Sequence, residues 1–266
     1  MSDPGDVADG AVPDASSGDL LVTTVGEVAT IEIVRPPNNY FDVRLVAQIV
    51  GACRVAAGQG CRAVLLCSRG RHFCAGANLA GDRVTSLDGK HLYDYAIELF
   101  EQPLPIVAAV QGGAIGGGLG LALAADLRIA SPEARFSANF ATLGLSHGFG
   151  LTETLPLAVG HETALRLLYT GERVTGDAAL SMGLCTEVVP IDELRDAARR
   201  HASAIARSGP LAVRSIRRTM RGALIDRLKR AVEHERLEQD RLQLSADFAE
   251  GVAAMAERRE PRFTAR

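Results

Sequence analysis

The stretch Ile106-Val107-Ala108-Ala109-Val110-Gln111-Gly112-Gly113-Ala114-Ile115-Gly116-Gly117-Gly118-Leu119-Gly120 decides how the chain is read. Its first five residues are a continuous apolar run without polar alternation, the pattern of a parallel strand covered on both faces. Segment 116–125 is small and apolar, too closely packed for a surface helix. A helix opening on glycines presents unsatisfied N–H groups at the positive end of its dipole. One such run serves equally for a phosphate loop or for tight helix packing. No Lys-Ser or Lys-Thr follows it, so it is no P-loop. No acidic residue stands where a dinucleotide site needs one.

A second segment, Phe73-Cys74-Ala75-Gly76-Ala77-Asn78-Leu79, follows another short apolar run, 63–67. Small residues there allow a backbone N–H to approach a ligand closely. Two N–H-presenting loops after two parallel strands suggest an oxyanion hole assembled from both. Around them, 20–24 and 28–34 read as strands of a hairpin, and Val46, Ile49, Val50, Cys53 and Ala57 recur at helical spacing. Segments 92–100, 127–130 and 134–137 continue the alternation. Strand and helix alternate about four times, which indicates an α/β domain with parallel strands and crossover helices.

Composition narrows the function classes. The chain has 266 residues, 47% hydrophobic, 23% charged, with net charge −3. This is ample for a sizeable core and argues against a nucleic-acid partner by bulk electrostatics. No apolar run reaches the ~20 residues of a membrane span. Segment 1–19 carries five aspartates and no basic residue, and reads as a disordered acidic tail rather than a secretory signal. The five cysteines (53, 61, 67, 74 and 185) show no metal-site spacing and read as reduced core residues of a cytoplasmic protein. Beyond about 190 the pattern becomes consecutive helices, 191–207, 210–220 and 224–245. From Arg207 to Arg230 stand eight basic residues and one acid. They read as a solvated or subunit-facing surface, or alternatively as a site for a ligand's phosphates.

The order of these landmarks resembles the enoyl-CoA hydratase/isomerase (crotonase) superfamily over roughly 20–263. The matching residues are Arg35-Pro36 near Asn38 and Asn39, Phe73 to Ala77, the glycine triplet within 105–126, Phe136, Gly144, Ala158-Val159-Gly160, Thr170-Gly171, Ala178, Gly183-Leu184, and the stretch from Asp247 to Phe263. The resemblance implies a spiral of ββα turns (20–190) carrying the CoA-thioester site, and a C-terminal helical trimerisation region (191–266). It also implies a homotrimer or hexamer, and an acyl-CoA substrate with neither metal nor redox cofactor. The backbone N–H groups of Ala77 and Gly117 would form the oxyanion hole. Ala75, Gly76, Asn78, Gly116, Gly120, Asn139, Phe140 and Phe149 would line the substrate site.

The chain departs from the hydratase pattern where that reaction needs its two glutamates. The matching positions hold Gly120 and Phe140, and the acid expected after the first oxyanion residue is Asn78. Neither glycine nor phenylalanine transfers a proton. His147 matches the catalytic aspartate of the naphthoate synthases, whereas Gly148 stands where dienoyl-CoA isomerases and aryl-CoA dehalogenases place theirs. A histidine titrating near ~6.5 serves as acid or base at neutral pH, or else is only a loop residue bonded to backbone. Glu153, expected at a helix start, and Asn139 are weaker candidates. His72 is expected to be exposed, and His91, His201 and His234 to be surface residues. These residues favour one-base enolate chemistry (isomerisation, decarboxylation or thioester hydrolysis) over hydration. A non-catalytic acyl-CoA binder is the alternative.

Overall fold

The computed structural model describes residues 12–13, 18–79 and 85–266. The expected acidic tail falls mostly outside this set, although Val12–Pro13 pairs antiparallel with the first long strand. That strand, β1 (Leu20–Val25), forms the expected hairpin with β2 (Val28–Ile33). Asp42 then caps α1 (Val43–Gly58), its carboxylate accepting from the Leu45 N–H at 2.9 Å. β3 (Ala63–Ser68) lies parallel to β2 and beside β4 (Ile106–Val110), with α2 (Leu92–Phe100) between them in sequence. β6 (Leu127–Ala130) and β9 (Glu187–Val188) complete one mixed sheet, parallel from β2 onward.

A smaller sheet joins β5 (Gly113–Ile115), β7 (Arg135–Ser137) and β8 (Val174–Thr175). The helix α3 (Gly117–Ala124) follows β5 directly and is buried along its whole length. The small-residue composition of 116–125 therefore reflects a helix enclosed on all sides, as read from the sequence. α4 (Leu151–Val159), α5 (His161–Thr170) and α6 (Gly176–Ser181) lead to the C-terminal helices α7 (Leu194–Ala206), α8 (Pro210–Leu242) and α9 (Ala246–Glu257).

Helices cover both faces of the large sheet, which is why β2, β3 and β4 are buried at every position. One cover is α7, whose Leu194, Ala197, Ala198 and Ala202 pack on Leu65, Val107, Ala109 and Ile129. This helix, grouped by sequence with the C-terminal region, is thus part of the core. The stripe Leu224, Leu228 and Val232 of α8 is buried within the same chain. Leu211, Ile216 and Met220, nearer the start of α8, are exposed. Among the described residues no helix is long and apolar enough to cross a membrane. All five cysteines are buried.

Candidate active site

β3 and β4 run parallel as neighbours, so the loops leaving their C-terminal ends meet. Backbone bonds fasten them together. Cys74 N–H donates to Gly113 O at 2.9 Å and Ile115 N–H to Cys74 O at 3.0 Å, forming a bridge between Cys74 and Ala114. Buried side chains fix the first loop. Asn39 donates to the carbonyls of Arg69 (2.7 Å) and His72 (2.6 Å), while its Oδ1 accepts from the Arg35 N–H. Losing a partner from such a buried amide costs roughly 1–3 kcal/mol. His72 corrects the sequence reading. It is half-buried, and its Nδ1 accepts from the Gly113 N–H at 2.8 Å, tying the first loop to the second. Its pKa is lowered, chiefly by burial and secondarily by Arg71 and Arg173. That keeps the ring neutral, as an acceptor must be.

Two glycines set the path of the backbone. Gly76 has φ +87°, and a Cβ there would lie 2.8 Å from Ile115 O and 4.0 Å from Gly117 N. Gly116 has φ +56° and precedes the first turn of α3. Both conformations are strained for any residue with a side chain. The outcome is that Ala77 and the N-terminus of α3 adjoin. The N–H of Gly117 has no preceding turn to donate into, and that of Ala77 is not used in its bridge to Phe41. Two donors on adjoining loops, without a backbone acceptor among the described residues and one of them at a helix N-terminus, are suited to an oxygen that gains negative charge.

The surroundings of these donors are aromatic. A Cβ on Gly117 would overlap the ring of Phe41, and that ring meets Phe149 edge-on, with centroids 5.5 Å apart. Phe149, only 1% exposed, in turn covers Gly120: a Cβ there would lie 2.6 Å from Phe149 Cβ and 2.9 Å from Cγ and Cδ1. On the other side β7 delivers Asn139 and Phe140 to Gly116, Asn139 Oδ1 lying 3.2 Å from a Cβ placed there. The structure therefore gathers Ala75, Gly76, Ala77, Gly116, Gly117, Gly120, Asn139, Phe140 and Phe149 into one region, with Asn78 exposed at its edge. Phe41 belongs to the same region and was missed. It follows a turn with no distinctive signal.

His147 adjoins this group through Gly148 and Phe149, and its ring is 28% exposed. Its Nε2 is 2.9 Å from Thr152 Oγ1 and 4.0 Å from Glu235 Oε1. Burial depresses its pKa below the usual 6.5, opposed by Glu235 and reinforced by His234. Gly148 has no room for a carboxylate, because a Cβ would overlap the Tyr93 hydroxyl. That hydroxyl donates to Gln239 Oε1 (2.6 Å), and Gln239 Nε2 donates to Ser146 O (2.9 Å). Glu153 sits in the first turn of α4, as read, and accepts from Arg227. Glu235, 2% exposed, accepts from the N–H groups of Gly150 (2.8 Å) and Thr152 (2.9 Å), so α8 caps the N-terminus of α4. His91, expected at the surface, is a partly buried cap of α2, and His201 bonds to Glu187. His234 is exposed, as expected. Among the described residues there is no cluster that could hold a metal ion.

Comparison with known proteins bears on the same elements. The family described as enoyl-CoA hydratase/isomerase matches residues 23–266. A protein of Rhodobacter capsulatus named "Probable enoyl-CoA hydratase" is 33% identical over 245 residues, 90% of this chain and 95% of that one. The 2,3-dehydroadipyl-CoA hydratase of Escherichia coli is 31% identical over 255 residues, covering 93% and 99%. The crystal structure of an enoyl-CoA hydratase/isomerase from Pseudoalteromonas atlantica superposes with a TM-score of 0.86 at 32% identity, covering 92% of this chain and all of that one. The matched span runs from the β1–β2 hairpin through the loops at Gly76 and Gly116 to α9, and on that ground the chain belongs to the enoyl-CoA hydratase/isomerase family.

Proposed function

We propose that this protein takes an acyl-CoA thioester, holds its carbonyl oxygen on the N–H groups of Ala77 and Gly117, and moves a proton with His147 alone. Isomerisation of a 3-enoyl thioester fits best. One base removes a proton from the carbon next to the carbonyl, the oxyanion hole carries the resulting dienolate, and the same base returns the proton two carbons further along. Decarboxylation and thioester hydrolysis are the other one-base reactions open to this site. The observation that carries the reading is the Phe149 ring on Gly120. The place where a hydratase carboxylate would stand is filled by an aromatic side chain, and Phe140 occupies the other. The relatives named above carry the names of hydratases or of a hydratase/isomerase, and these two positions are where this chain parts from the hydratase pattern.

The reading includes no metal or redox cofactor, a cytoplasmic setting suited to five buried thiols, and a homotrimer or hexamer. The exposed Ile216 and Met220, beside a groove of about 650 Å³ between α8 and the core, support an assembly. A single trimer or hexamer mass by light scattering is expected, and a monomer would exclude it. The test of the chemistry is a substrate panel of 2-enoyl, 3-enoyl and malonyl-type thioesters, assayed with the parent and His147→Gln. The expected result is very weak hydration of crotonyl-CoA and turnover of another panel member. In H147Q that turnover should fall about 10²-fold or more with little change in KM. Efficient crotonyl-CoA hydration would overturn the reading. If no thioester turns over although acyl-CoA binds, the non-catalytic alternative holds.

A further inference from the structure

We propose that Thr152 and Glu235 are positioning residues for His147: the imidazole Nε2–H donates to Thr152 Oγ1, the Thr152 hydroxyl donates to Glu235, and Nδ1 is left as the ring's acceptor, the nitrogen available to take a proton. The inference rests on the reading of His147 as the base and goes beyond it by naming the tautomer, the reacting nitrogen and a residue of the C-terminal helix.

The argument is a count of protons. Thr152 Oγ1 lies 2.6 Å from Glu235 Oε1 and 2.9 Å from His147 Nε2, and it has a single proton to give. Both carboxylate oxygens already accept backbone N–H groups, Oε2 from Gly150 and Oε1 from Thr152, at the positive end of α4. The hydroxyl proton therefore goes to Glu235, and the hydroxyl can only accept from the ring. A neutral imidazole has one N–H, so placing it on Nε2 leaves a lone pair on Nδ1. Among the described residues, the charged and titratable groups acting on the ring are Glu235 and His234, both on α8, with the neutral Tyr93 behind the loop. Burial outweighs the attraction of Glu235 and keeps the ring neutral. The ring nitrogen opposite a fixed hydrogen bond is the one available for chemistry, as in other oriented histidines.

Glu235 also caps α4, so its replacement risks the fold. Thr152 is the better probe, because Thr152→Val keeps the backbone N–H bond to Glu235 and removes only the hydroxyl. The experiment is NMR of ring-labelled histidine at neutral pH, with H147Q used to assign the signal, alongside kinetics on the best thioester from the panel. The parent should show His147 as the Nε2–H tautomer. T152V should show a tautomer mixture and a kcat lowered tenfold or more at similar KM, and Thr152→Ser should restore both. An Nδ1–H tautomer in the parent, or an unchanged tautomer in T152V, would overturn the relay. If the tautomers behave as expected but H147Q keeps full turnover, the relay stands and His147 is not the base. If H147Q is inactive but T152V leaves the tautomer unmoved, His147 is the base and the relay is wrong.

Discussion

The contact between Gly120 and Phe149 can be weighed by a double-mutant cycle. Gly120 is an ordinary helical residue of α3, so Gly120→Ala should gain about 1 kcal/mol from helix propensity alone. Against this, the new Cβ would stand 2.6 Å from Phe149 Cβ and 2.9 Å from its Cγ and Cδ1. Overpacking of that kind costs roughly 1–3 kcal/mol. The net effect expected for G120A in the parent is a loss of up to about 2 kcal/mol, despite the favourable backbone.

Phe149→Gly deletes all three obstructing atoms. It gives up the packing of a buried ring, roughly 3–5 kcal/mol for Phe→Ala. It recovers roughly 1–2 kcal/mol because Phe149 sits at φ +61°, in the left-handed region that glycine tolerates. In the F149G background G120A should become neutral or stabilising by about 1 kcal/mol. The coupling energy, the difference between the two G120A effects, then comes to about 1–3 kcal/mol. Urea denaturation of the four proteins, followed by circular dichroism at fixed protein concentration, measures it. If G120A makes the parent more stable, or if the coupling is below about 0.5 kcal/mol, the ring does not close the carboxylate position.

Three further outcomes are expected. In a complex with a thioester, the carbonyl oxygen should lie ~2.7–3.1 Å from the nitrogens of both Ala77 and Gly117; a carbonyl bound to one alone would remove the oxyanion hole. Burial pushes the Cys53 and Cys74 thiols up to about 12 and those of Cys67 and Cys185 to about 11. A thiol reagent at mildly alkaline pH should therefore label the native protein only as fast as it opens, and all five thiols at once in denaturant. Because His147, His72 and His91 have folded pKa values below the unfolded ~6.5, the folded state binds fewer protons. Stability should be complete above that value and decline as pH falls through it, more shallowly in H147Q; a pH-independent midpoint between about 5 and 7 would contradict the shifts.

The strands were legible because burial on both faces leaves a plain mark, as in Ile106–Val110. The two glycine-bearing loops were legible as places of close backbone approach, because such an approach admits only small residues. What escaped the sequence depends on which surfaces meet. The alanine face of α7 announces a helix but not the sheet that receives it. His72 looks like any polar residue before a loop, and its bond to the Gly113 N–H joins segments 41 residues apart. Glu235 did leave a trace. It continues the stripe Leu224, Leu228, Val232 at helical spacing, so a carboxylate stands on a buried face. In a helix this rich in charge such an acid reads as solvated. The groups that satisfy it, in Gly150 and Thr152, lie 83–85 residues away.

These long-range bonds explain how the loop can hold Phe149 in a conformation that a bulky residue resists. Residues Ser146 to Thr152 are gripped on both sides of the strained position. Before it, Gln239 donates to Ser146 O and accepts from the Tyr93 hydroxyl. After it, Glu235 accepts from the N–H groups of Gly150 and Thr152. Gln239 and Glu235 are four residues apart, neighbours on one face of α8. A single rigid helix thus sets both flanks, and backbone strain of order 1–3 kcal/mol persists only where the surroundings over-determine it. Glycines on either side leave Phe149 as the only bulky residue in the turn, so its ring is driven onto Gly120 and Phe41. The same grip orients His147 through Thr152. Helix α8, read from sequence as a solvated or subunit-facing surface, therefore also shapes the aromatic wall of its own chain's candidate site and orients His147.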